Sequence, residues 1–325
     1  MKLAVIGFGQ CGGRIADEFA RVNKMAHRQR GIDIVIGAFA VNTDSADLAG
    51  LITIKADYRH RILIGAGTTN GHGVAKICEL GAELAKADAD KIIDAFRETP
   101  DFFEADAFML IGGAAGGTGS GATPVIAKAL KERFVDKPVY AIIVLPFEHE
   151  EKTEERTPYN AAMCLKAIDS VADAVILVDN QRYIKKDTSL VKNINQINQM
   201  IVEPFYNLLC VGEEQKAKYI GAKILDGGDI KYSLSGWTTI GYGETLVPRF
   251  KLSFNKSSNF RQKGEGTQKI LQAMDAAISD LSIECKTTDA GRALFLLTSA
   301  PQDVNVDMIK EISEYMKSMA PQATI

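Results

Sequence analysis

Along the first 180 or so residues the chain repeats one order. A short apolar run is followed by a polar or glycine-rich break, then by a stretch with apolar positions three and four apart. The apolar runs at 2–6, 32–41, 61–64, 107–111, 138–146 and 173–179 read as strands. Between them the spacing predicts helices. Ile15, Phe19 and Val22 share one face, and Ile77, Leu80, Leu84 and Ile92 mark a helix from Val74 to about Arg97. Further helices are expected at 45–50, Thr123–Lys131 and 160–172. Residues 24–31 are polar and basic and read as a solvated loop. The acidic run at 148–156 reads as a solvated helix start, where acids suit the dipole. Strands alternating with helices predict a largely parallel sheet with helices on both faces, a Rossmann-like α/β domain.

Residues 189–210 carry Val191, Ile194, Ile197, Ile201, Phe205 and Leu208 at helical spacing. A helix this apolar is buried on several sides, a spine between the sheet domain and the C-terminal third of the chain. Pro204 should kink it or cost about 3 kcal/mol. Asn195 and Asn198 are its polar exceptions, and Asn195 is expected to face solvent. From residue 238 the pattern shifts to a strand at Thr238–Tyr242, a polar loop at 251–266, a helix at 267–282, a strand at 293–299 and a helix at 303–318. That predicts a smaller α+β domain. The expected division is 1–187, a central helix at 188–222, and 223–325.

The breaks carry the chemistry. Gly7-Phe8-Gly9-Gln10-Cys11-Gly12 is G-x-G-x-x-G between a strand and a helix. Asn42-Thr43-Asp44 ends the second strand, and Gly65 to Gly73 is a second glycine loop. The run 110–124, LIGGAAGGTGSGATP, holds six glycines between Gly112 and Gly121. Glycines let a backbone approach a ligand closely, and amides at a helix start hold anions. The loops all follow strands, hence share one rim, where such sheets bind ligands. Several phosphate-type loops on one rim suggest a nucleoside triphosphate. An NAD(P) oxidoreductase rests on G-x-G-x-x-G alone, and its ribose acid should lie about 20 residues on. Asp44 lies 32 residues beyond Gly12.

Composition narrows this. A net charge of −3 gives no gross case for nucleic acid or an anionic membrane as partner. No apolar run approaches the ~18 residues of a membrane span. The first residues enter a strand directly, with no signal-peptide cleavage region. Five scattered cysteines without CxxC suggest a reducing cytoplasm, and they and four isolated histidines offer no metal site.

Assembled, these motifs resemble the tubulin/FtsZ family of GTPases. Gly116 to Gly121 matches its GGTG(S/T)G signature, and Gly9-Gln10-Cys11-Gly12 is similar to tubulin's first nucleotide loop. Asn42-Thr43-Asp44 resembles FtsZ's second loop. The start MKLAVIGFGQCGG and the turn Leu225-Asp226-Gly227-Gly228-Asp229 look most like the archaeal CetZ branch. The resemblance implies a cytoplasmic, head-to-tail homopolymer that binds and hydrolyses GTP, with a role in cell shape or division. By position it implies that Gly9, Gln10, Cys11 and Gly12 face the α- and β-phosphates. Asn42 and Asp44 join the site from the second loop. Gly67, Thr68, Thr69 and Asn70 would hold the γ-phosphate, and Gly116, Gly117, Thr118, Gly119 and Ser120 would wrap the phosphates. Arg156 and Asn160 would lie near ribose and base, and Asn180 and Asn198 would read guanine. Asp226 and Asp229 would be the catalytic acids, acting on the neighbouring subunit's nucleotide. With no acid in 65–73, Mg²⁺ would be held mainly by phosphates and water.

The sequence departs from the family in places. Ile224 stands where FtsZ has asparagine, Thr157 where tubulin has glutamate, and Ile194 in the place of tubulin's base-stacking tyrosine. Beyond 303–318 the family's further pair of strands is not seen before Ile325. An FtsZ-like tail peptide is also not seen, so tail-binding partners are not implied. A GTP-binding switch that does not polymerise is the alternative within the family.

Overall fold

The apolar runs become β1 (Leu3–Phe8), β2 (Val35–Asn42), β3 (Arg61–Leu63), β4 (Ala107–Gly113), β5 (Val139–Leu145), β6 (Ala174–Asp179) and β7 (Gly236–Thr238). They form one sheet in the order β3-β2-β1-β4-β5-β6-β7. Every neighbouring pair is parallel. The chain winds outward from β1 to β3, then returns to β4 on the other side of β1. The central pair, Leu3↔Ala107 to Phe8↔Gly112, is therefore the switch point, and its carboxyl ends open the crevice where such sheets bind ligands. The computed structural model describes residues 1–184, 190–214, 216, 225–246, 259–299 and 306–325. They fall into two compact units, Met1–Thr239 and Ile240–Ile325.

Helices cover the sheet as the alternation requires. They are α1 (Gly9–Arg30), α2 (Ser45–Ala49), α3 (Ala66–Thr69), α4 (Cys78–Ala87), α5 (Ala89–Arg97), α6 (Gly117–Arg133), α7 (Glu148–Thr153), α8 (Arg156–Asp169), α9 (Leu190–Cys210) and α10 (Gly227–Ser233). Ala4, Ile6 and Phe8 of β1 join a buried cluster with Ile92 and Phe96 of α5, Ile126 and Leu130 of α6, and Ile168 of α8. α9 packs on α1, where the rings of Phe19 and Phe205 lie 5.3 Å apart. Arg30, at the end of α1, donates to Tyr206 and Asn207 of α9. On α9, Ile197, Ile201, Val202, Phe205 and Leu209 are buried, while Asn195 is exposed. Val191 belongs to α9, but its side chain lies outside the described residues, as does Ile224. α9 runs on through Pro204 rather than ending there.

Four boundaries differ from the sequence expectation. α1 continues through the basic stretch to Arg30, with His27, Arg28 and Arg30 in its last turn and left-handed Gly31 closing it. Cations suit that end of the dipole, so the basic run is a helix terminus and not a loop. The expected helix Val74–Arg97 breaks at Asp88, whose carboxylate accepts the Gly65 amide at 2.8 Å. α6 starts at Gly117, inside the glycine cluster. α10 and β7 belong to the first compact unit, within the span assigned to the second domain from sequence.

In the unit Ile240–Ile325, α11 (Asn259–Ser279) and α12 (Val306–Met319) pack together, and the Tyr315 hydroxyl donates to Asp275. Gly241 and Gly243 lie against the α11 backbone at Ala277 and Ala273. A strand at 293–299 does not form a ladder among the described residues; an isolated parallel bridge joins Arg292 to Thr324.

Candidate nucleotide-binding site

The carboxyl ends of β1, β2, β4, β5 and β6 surround a cavity of about 450 Å³, a size typical of small-molecule sites. On the β1–β2 side its wall is built from side-chain amides and the carboxylates of Asp44 and Asp47. Gln10 Nε2 donates to Asp47 Oδ1 at 2.6 Å, and Asn42 Nδ2 donates to Asp47 Oδ2 at 3.0 Å. Asn42 Oδ1 in turn accepts the Thr43 amide at 2.8 Å. Thr43 and Thr118 share a buried hydroxyl hydrogen bond of 2.7 Å, tying the β2 loop to α6. Asp44 lines the cavity, yet its carboxylate caps α2 through the amides of Ala46 and Asp47.

The glycine cluster divides its labour. Gly116 is extended, with no atom within 4 Å of the position a Cβ would take, and it borders the cavity. Beyond it Gly117, Thr118 and Gly119, in the first turn of α6, also border the cavity, and amides at a helix start lack an acceptor within the helix and suit an anion. Gly117 is at the same time closely packed, whereas Gly121 serves packing alone. A Cβ on Gly117 would lie 2.8 Å from the Ile77 nitrogen, and one on Gly121 would overlap the Cys78 carbonyl. Gly81 meets Gly117 from the other side, so α4 and α6 approach on a glycine seam. Gly12 likewise lies against the Ile111 carbonyl rather than on the cavity wall. Ser120 is buried, and its hydroxyl donates to Gly116 O.

The third loop differs most from expectation. Gly67, Thr68, Thr69 and Asn70 do not line the cavity; Gly73, Val74 and Lys76 do. Left-handed Gly65 starts the one-turn helix α3, and left-handed Asn70, Gly71 and Gly73 turn the chain again before it reaches the rim. Ala75 and Lys76 also take positive φ, 47° and 59°. Such strain in residues with a Cβ persists only where the surroundings enforce it. Here the enforcing group is Asn160. It is fully buried, and its Nδ2 donates to the carbonyls of Lys76 and Ala115, both at 2.9 Å. Its Oδ1 has no partner. Asn160 therefore fastens two loops of the cavity and is not itself on the wall. Arg156 is also off the wall, with its guanidinium 3.4 Å from Glu79.

At the far end Asn180, after β6, and Asn198, on α9, both border the cavity, with Ile194 and Ile197 beside them. Gly9, Gln10, Cys11, Thr118 and Gly119 are on the wall as the motifs imply. Burial pushes the Cys11 thiol up to about 12, with Glu150 adding to the rise and Arg14 opposing it. It stays a neutral thiol near pH 7. Sequence reading missed Arg14, Asp47, Lys76 and Glu150. Arg14 lies one turn beyond Gln10, a helical spacing that could have placed it. Glu150 accepts the Phe147 amide at 3.0 Å, and it was hidden inside a charge run.

Asp226 and Asp229 lie elsewhere. Both are exposed, and they cap each other at the start of α10: Asp229 N donates to Asp226 Oδ1 at 2.9 Å, and Asp226 N to Asp229 Oδ2 at 3.1 Å. α10 sits at the amino ends of the strands. Lys231 lies 3.6 Å from Asp106, just before β4, and Gly236 N donates to the Asp173 carbonyl, just before β6. A six-residue strand such as β1 spans about 20 Å, so the acids and the cavity occupy opposite rims. Among the described residues no cluster of His, Cys, Asp and Glu is placed to hold a metal ion, and no helix is long and apolar enough to cross a membrane.

Two family models match the chain: Tubulin/FtsZ family, GTPase domain, over residues 2–186, and Tubulin-like CetZ, C-terminal domain, over residues 187–324. Tubulin-like protein CetZ1 of Haloferax volcanii is 35% identical over 319 residues, which is 94% of this chain and 78% of that one. Its GDP-bound monomer structure superposes with a TM-score of 0.82 at 31% identity, covering 100% of this chain and 87% of the other. The GTPγS-bound protofilament of CetZ2 from the same organism gives a TM-score of 0.77 at 28% identity, covering 99% and 87%.

Proposed function

The chain belongs to the tubulin/FtsZ family of cytoskeletal GTPases, most like CetZ proteins, and we propose that it binds GTP on the carboxyl rim and assembles head to tail. In that arrangement Asp226 and Asp229 of one subunit complete the nucleotide site of the next. The observation that supports this reading is the separation of the two halves: cavity on one rim, exposed carboxylates on the other. A contact that repeats one rim against the opposite rim does not close on itself, and repetition gives a filament.

The residues fit a guanine nucleotide. The open Gly116 loop and the α6 amides suit phosphates. Asn180 and Asn198 offer amides that both donate and accept, as a guanine edge requires. Mg²⁺, held mainly by phosphates and water, would spread the charge of the phosphates. Asp226 and Asp229 would exchange their mutual caps for a water molecule and orient it toward the terminal phosphate. The working compartment is the cytoplasm, and the cellular role is in shape or division. Neither nucleic acid nor a tail-binding protein is part of this reading.

The test is GTP turnover per subunit across protein concentration, read with GTP-dependent pelleting. Specific activity that climbs with concentration, together with polymer in the pellet, supports assembly-coupled hydrolysis. Flat specific activity removes the contribution from the neighbour. GTP binding without any pellet favours the non-polymerising switch. A thermal shift with NAD and none with GDP returns the chain to the oxidoreductase reading.

A further inference from the structure

Among the described residues two cations border the cavity, Arg14 and Lys76. Arg14 belongs to α1, beside Cys11. Lys76 ends the loop that arrives from β3, across the sheet from β6 and its Asn180. Its backbone is pressed against the first residue of α6: a Cβ on Gly117 would lie 2.9 Å from the Lys76 carbonyl carbon. The lysine thus sits where the helix end presents its amides. Asn160 holds its carbonyl to the 115–117 loop, and the left-handed Ala75–Lys76 pair fixes the direction in which the chain passes. Its ammonium, however, is paired with Glu154, which also accepts the Thr157 hydroxyl at 2.9 Å. That pair is half-exposed, with side chains 42% and 37% accessible. A pair so placed is weakly held and open to competition from a more highly charged anion. Lys76 and then Thr157 hold the Glu154 carboxyl below the usual carboxylate range, so the pair is an ionic one.

We propose that Lys76 determines the preference for triphosphate over diphosphate, its ammonium passing from Glu154 to the terminal phosphate when that phosphate is present. The proposal rests on the GTP reading above. A base held by Asn180 and Asn198 directs the phosphate chain away from β6, toward the loop from β3. A diphosphate ends before that loop and leaves the Lys76–Glu154 pair closed. A triphosphate gains a charge-assisted contact, and Glu154 keeps only its threonine. The residues of the site then distinguish the two nucleotides by one ion pair exchanged for another, with no bond made or broken.

The test measures equilibrium affinity of the full chain for GDP and for a non-hydrolysable GTP analogue, with Mg²⁺, at protein concentrations too low to pellet. Lys76→Met should weaken the analogue about tenfold or more, the worth of a charge-assisted hydrogen bond, and GDP by less than about twofold. Lys76→Arg should restore most of the difference. Glu154→Gln should strengthen the analogue and leave GDP unchanged, and should have no such effect in the Lys76→Met background. Equal losses for both nucleotides, or an unchanged ratio, overturn the proposal. Thermal melts of each variant separate these outcomes from misfolding, since Lys76→Arg and Glu154→Gln keep the loop's backbone contacts. If the wild-type chain binds neither nucleotide, the GTP reading fails and this proposal falls with it. If it binds both and Lys76→Met keeps the preference, only the proposal fails.

Discussion

The two rims of the sheet are built in opposite ways. The carboxyl rim is made largely of backbone: glycines packed against carbonyls, helix-end amides, and buried side chains such as Asn160 and Thr43 that lock loops to one another. The amino-rim feature is two exposed carboxylates on a seven-residue helix, each held by the other's backbone. One half is over-determined by packing, and little can move without a cost in stability. The other half is held by capping bonds that water can replace. A binding surface needs a fixed shape before its ligand arrives. A group that, as proposed, meets a neighbour's nucleotide would need to be exposed first.

That contrast can be broken from either side. The largest effect is expected at the amino rim: Asp226→Ala should leave GTP affinity within about twofold but lower turnover by about 10²–10⁴, the usual range for loss of a general base. Phosphate release measured beside nucleotide titration checks it, and weak binding would assign the acid to its own subunit's cavity. The next concerns the carboxyl rim. Gly121→Ala forces a methyl into the Cys78 carbonyl and to 2.6 Å from the Ala82 nitrogen. It should cost about 1–3 kcal/mol, visible as a lower unfolding midpoint, with nucleotide binding weakened through the displaced α6. Normal stability there would mean that α4 and α6 separate more easily than the seam implies. The smallest effect is expected at Arg156→Ala. Its pair with Glu79 is exposed on both sides, and such pairs contribute about 0–1 kcal/mol. Nucleotide affinity should stay unchanged, and a clear loss would return Arg156 to the ribose.

Much of the fold was legible because a parallel sheet writes itself as apolar runs between helical spacings. β1, β2, β4, β5 and β6 lie where those runs lie. The glycine loops also announced the rim. What was not legible depends on tertiary approach. Gly121 looks like a phosphate glycine in a motif, yet its nearest neighbours are the Cys78 and Ala82 backbone of α4, and Gly117, which does border the cavity, is also pressed against Ile77 and Lys76. Asn160 reads as a ligand contact, and only the fold shows its amide spent on two carbonyls. The loop after β3 was recognised, but left-handed residues carry its contact point from 67–70 to 73–76. Arg14, Asp47 and Glu150 had no motif to mark them, because their places on the wall come from how α1, α2 and α7 are set at the strand ends.

A sheet whose strand pairings are all parallel is also an arrow. The filament proposed above, stacked along it, would have two unlike tips. One tip would present bare carboxylates with no nucleotide to act on. The other would present a nucleotide that no neighbour's carboxylate has reached. On that proposal triphosphate at the second tip would outlive triphosphate in the interior, and the direction of the strands would write the age of the polymer along its length.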